Sequence, residues 1–172
     1  MSASLRRRIA TALLIAFCAA CSRKASSANQ PPASSPYNPT PVVAWLDCVE
    51  CTPAQLSAVM AQKDTVVPEL SGILLNGPPP QRLQAQRAYL EKRWQTLKDY
   101  ERLHPDQKVP YNEQDYVQLY SRKFVLLNRT RAAVALGAIG TPAAKNALTQ
   151  AKALPDLPDD LRRAINGALG SP

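Results

Sequence analysis

Histidine is almost missing from this chain: His104 is alone among 172 residues. One imidazole gives little support to Ser-His-Asp or Cys-His catalysis, because each needs a base beside its nucleophile. Glycine is sparse, at 6 residues, and no Gly-rich loop of the kind that cradles phosphate occurs. Aromatics make up only 6%, so a core has to be filled by Leu, Val and Ala. No apolar run reaches the roughly 20 residues that a membrane-spanning helix needs. No stretch sustains the period-two alternation of a half-buried strand.

What is present is enough chain for about one domain. Proline is plentiful, at 16 residues, but clustered. The formal net charge is +8. Arg6, Arg7 and Arg8 carry part of it near the N-terminus, and without them about +5 remains. An excess of that size does not argue for nucleic acid as a partner.

The first 20 residues read as an export signal. Arg6, Arg7 and Arg8 form a positive start, and Ile9 to Ala20 is uncharged, apolar and too short to span a bilayer. The stretch Phe17-Cys18-Ala19-Ala20-Cys21 resembles the lipobox of bacterial lipoproteins. The resemblance implies that Cys21 takes a diacylglyceryl thioether and becomes the mature N-terminus. It further implies a place in the cell envelope, membrane-anchored and facing out of the cytoplasm. With Ser22 after Cys21, the outer membrane is the expected destination in a Gram-negative host. Cys18-Ala19-Ala20 also fits an ordinary secretory cleavage rule, and an uncleaved anchor is a third reading.

Residues 21–41 hold Ser, Ala, Asn and Pro with almost nothing to bury, and read as a tether behind the lipidated Cys21. A helical domain is expected over 42–172. Thr52-Pro53 is a hydroxyl cap followed by proline in the first helical turn, and starts a helix to Met60. A second helix is expected from Thr65 to Leu75, ended by Asn76-Gly77 and Pro78 to Pro80. A long helix follows from Gln81 to Leu103, with Leu83, Leu90, Trp94, Leu97 and Tyr100 at helical spacing. Asn112 caps the next, Glu113 to Gly137, with Tyr116, Leu119, Tyr120, Phe124, Leu127 and Val134 along one side. Thr141-Pro142 starts a helix to Leu154, and Asp159 to Leu169 is the last. The fold class is all-α.

Two segments are alike, Ala54 to Leu75 and Ala132 to Leu154. Each has a helix, a tight turn and a second helix with Thr and Pro near its start. Arg131-Ala132-Ala133-Val134-Ala135-Leu136-Gly137-Ala138-Ile139-Gly140 resembles the first helix and turn of a HEAT-like repeat. That resemblance implies helical hairpins stacked as a short array, with a binding or scaffolding role. An irregular helical bundle is the other arrangement compatible with these residues.

Cys48-Val49-Glu50-Cys51 is the one constellation with candidate chemistry. Export would favour a structural disulfide. A thioredoxin-like exchange pair is the alternative, with Trp45 upstream and a helix starting at Pro53, though the βαβ context of that motif is missing. An idle reduced pair is a third reading. A metal centre would need about four ligands, and no second CxxC is present. Asp159-Asp160 and Glu113 with Asp115 open helices, where carboxylates offset the positive helix end. Arg122, Lys123, Arg129 and Arg131 form a basic run without an intervening acid, a candidate contact for anionic lipid or an acidic partner.

The residues thus point to a lipid-anchored, non-catalytic protein-binding or scaffold module. It has an unidentified protein partner and no cofactor, metal or nucleic acid. A thiol-redox accessory protein using Cys48 and Cys51 is the alternative.

Overall fold

Threonine and proline set most of the helix starts. The computed structural model describes residues 40–170. The expected signal segment, the expected acylation site Cys21 and most of the expected tether lie outside them. Thr40 caps α1 (Pro41–Leu46) by accepting from the Val43 N–H at 3.2 Å. Thr52 caps α2 (Pro53–Met60) through a reciprocal box with Gln55. A 3-10 turn (Lys63–Val66) leads into α3 (Val67–Asn76). The long helix α4 (Pro80–Leu103) follows the proline run. Asn112 caps α5 (Glu113–Ile139), its Oδ1 accepting from the Asp115 N–H at 2.8 Å. Thr141 caps α6 (Pro142–Lys152), and α7 is Asp159–Gly170. No strand occurs among the described residues.

Helix α1 is not among the expected elements, and several other helix ends shift by a residue or two. Thr40 and Pro41 belong to α1 rather than to the tether. They repeat the hydroxyl-then-proline signal of Thr52-Pro53, which the surrounding Pro-rich stretch conceals. Pro68 needs a place in a first helical turn, so α3 begins at Val67, and residues before it take the tighter 3-10 form. Gly140, at φ 67, caps α5 in the left-handed conformation, so the helix runs to Ile139, two residues past the expected stop at Gly137.

The packing is a bundle around α5. Helices α1, α2, α3, α6 and α7 all touch it, and α4 pairs with it as an antiparallel arm. In a HEAT-like array each hairpin would touch only its neighbours. Here the contacts converge on one helix, the irregular-bundle arrangement. The main core is Val42, Trp45, Leu46, Val59, Leu70, Ile73, Leu74, Ala132, Ala133, Ala135, Leu136, Leu148, Leu161 and Ile165, with smaller neighbours. Alanines on α5 let the surrounding helices come close. A Cβ at Gly137 would lie 2.6 Å from Ala168 Cβ and 2.8 Å from its Cα, so α5 and α7 cross at contact distance there.

The α5 apolar side expected from spacing is only half right. Tyr116 is buried, but Tyr120, Leu127 and Val134 are exposed. Tyr100 is exposed too. A large side chain at helical spacing faces the core only if another helix covers it, and small Ala132, Ala133 and Ala135 take that place instead.

Candidate functional site

The N-terminal half of α5 is covered differently from the rest. α4 lies along it, and the two form a separate small core of Leu90, Trp94, Tyr116 and Val117, with Leu97 and Val109 against it. Trp94 stands beside Tyr116, ring centres 5.5 Å apart, and Arg82 lies over Phe124 at 5.8 Å. These two contacts fix the register of the arm. At about 1.5 Å per residue, α4 and α5 are roughly 36 and 40 Å long.

A groove of about 1060 Å³ runs along one side of this arm. Its floor is apolar: Leu83, Val117, Val125, Leu126 and, at one end, Pro158 before α7. Its rim is polar, with Gln84, Gln114, Gln118 and Ser121 between the charged groups. The charges are sorted along its length. Glu113 lies at one end and Glu91 near the middle, while Arg87, Arg122 and Arg129 lie towards the other end. Arg87 bonds Glu91 at 3.1 Å along α4. Sequence periodicity did not mark this groove, because its walls come from two helices whose relative register is tertiary.

The expected basic run divides in two. Arg122 and Lys123 are exposed. Lys123 lies over the Tyr120 ring at 5.0 Å. Arg129 and Arg131 are instead drawn inward. Arg129 Nε donates to the Leu74 carbonyl at 2.8 Å, and Arg131 Nη1 donates to the Leu46 carbonyl at 2.7 Å. Both carbonyls lie in the last turns of helices, α3 and α1, where backbone oxygens lack intrahelical partners and the helix end is negative. The two arginines therefore close helix ends. Burial lowers the pKa of both guanidinium groups, and Asp47 opposes that shift for Arg131. The Trp45 indole returns a bond, Nε1 donating to the Arg131 carbonyl at 3.0 Å. Asp47, the C-cap of α1, pairs with Arg82 of α4.

Cys48 and Cys51 are bonded to each other, Cα atoms 5.1 Å apart, in the turn between α1 and α2. Cys48 is buried against the main core and follows the negative end of α1, whereas Cys51 is exposed just before the α2 cap. A thioredoxin-like pair needs its first cysteine open and at a positive helix end. The order here is reversed, which suits a clip that fixes the corner rather than an exchanging thiol.

His104 follows α4, its ring stacked on Tyr100 at 4.3 Å. Among the described residues no three His, Cys, Asp or Glu side chains are grouped to hold a metal ion. No described helix is long and apolar enough to cross a membrane. Tyr116 has its pKa raised, first by burial and then by Tyr120, with Arg93 opposing. No protein-family model, curated protein or solved structure compared with the chain matches it. Geometry therefore carries the functional reading.

Proposed function

We propose that the protein is a lipid-anchored, non-catalytic docking module of the bacterial envelope, held by Cys21 and binding a protein in the α4–α5 groove. The observation that carries the docking half is the groove itself, an apolar floor with a polar rim on an arm only two helices thick. Interfaces commonly place an apolar centre inside a polar border. The lipid half rests on the lipobox-like residues ending at Cys21. In this reading the Cys48–Cys51 bond stiffens the α1–α2 corner and takes no part in exchange.

Two measurements test it. Intact mass of the protein from its own envelope should show a start at Cys21 with added acyl chains; an unmodified residue 1–20 segment ends the lipoprotein reading. A photo-crosslinking amino acid at Gln118, in the groove, should give a protein adduct in the envelope. The same probe at Lys152, exposed at the end of α6, should give none. Equal labelling at both sites, or at neither, ends the docking reading.

A further inference from the structure

We infer that the occupant of the groove is a second copy of this chain, docked antiparallel about a two-fold axis near Val117 and Gln118. The inference rests on the docking reading above and names its partner. A two-fold contact brings the same patch of both copies together, so the patch must complement itself when reversed. The α4–α5 groove meets that condition in its charge. Glu113 stands at one end, and Arg122 stands about two and a half helical turns along the same helix, at the opposite edge of the groove. The midpoint of that pair is Val117–Gln118. Reversal about this point sets Glu113 of each copy against Arg122 of the other, twice. Arg87 lies level with Ser121 and Arg122 by the register of Trp94 with Tyr116 and Arg82 with Phe124, and its bond to Glu91 offsets the carboxylate that lies level with the axis.

The centre of the contact is the right chemistry for a symmetric meeting. Val117 supplies apolar floor, and Gln118 supplies an amide that both donates and accepts, so it can pair with its own copy. Two arms laid together this way set the 113–122 stretches of α5 against each other across the axis. The competing occupants fit less well. A uniformly anionic lipid surface or an acidic helix would meet repulsion at Glu113. The basic end alone is reduced to Arg122, because Arg129 is committed to the Leu74 carbonyl and Arg87 to Glu91.

The test is a charge swap on the full chain, purified in detergent if acylated. Light scattering and sedimentation equilibrium across a concentration series report the oligomeric state. The parent should form dimers. Arg122→Glu alone and Glu113→Arg alone should each weaken dimerisation about tenfold or more, because each places like charges together at two symmetric points. The doubly reversed chain should recover the parent affinity. Glu113 and Arg122 are both exposed, so melting of the monomer serves as the folding control. The Gln118 photo-adduct should then have twice the chain mass. A dimer insensitive to the single reversals, or not restored by the double one, overturns the inference. A monomeric chain whose Gln118 adduct contains a different protein overturns it and leaves the docking reading standing. A monomeric chain with no adduct overturns both.

Discussion

The two halves of α5 show how differently one helix can be used. Its C-terminal half is ringed by five helices and lined with Ala132, Ala133, Ala135 and Leu136, all fully buried. Its N-terminal half has one companion and a four-residue core containing two large aromatics, Trp94 and Tyr116. Small residues bring many helices near; large ones fill the space when few helices are available. The crowded half is closed in by its neighbours, and the sparse half leaves more of its surface open.

The contrast makes an ordered set of expectations. Leu136→Ala should cost the most, about 3–5 kcal/mol, since a cavity ringed by packed helices collapses poorly. Leu90→Ala, as buried but in the arm, should cost nearer 2 kcal/mol because two helices can close on the gap. Equal losses in chemical denaturation would show that arm and core behave alike. Arg131→Met removes a charged donor and leaves the Leu46 carbonyl short of a partner, at about 2 kcal/mol. Faster hydrogen exchange should then appear in α1 before the arm, and a uniform change would break the assignment. Gly137→Ala forces α5 from Ala168 but gains helix propensity, for a net loss of about 1 kcal/mol. Ala168→Gly beside it should relieve part of that loss, and a double-mutant cycle measures the coupling.

The smallest effect is expected at the junction of the two halves. Asn128 is fully buried; its Nδ2 donates to the Phe124 carbonyl at 2.9 Å, while its Oδ1 has no partner. Asn128→Ala loses one bond and some packing but removes an unsatisfied acceptor, so the melting temperature should move by the equivalent of less than about 1 kcal/mol. A large fall would mean that an ordered water completes the amide.

Local signals were readable wherever the chain decides its own geometry. The cap at Asn112, the Thr-Pro starts of α2 and α6, the glycine after α5 and the two-proline bracket before α7 all act over three or four residues. They place the helices to within a residue or two. Thr40-Pro41 carries the same signal, yet sits at the end of a Pro-rich tract where composition argues for extended chain. What outweighs composition is Trp45, which reaches Arg131 across 86 positions. The candidate site was half legible. The basic run at 122–131 is plain in sequence, but its division between surface and helix ends depends on which carbonyls lie nearby.

Most helix positions, the all-α class, most capping residues and the closeness of Cys48 to Cys51 follow from the sequence alone, since each depends on near neighbours along the chain. Which side of α5 is buried, which arginines are spent on helix ends and where an open groove remains were decided only by tertiary structure. A helix wheel gives the angle between two side chains but not the helix that will lie against either of them. That choice is made by the whole bundle, where small residues draw helices together at one end of α5 and leave its other end with a single companion.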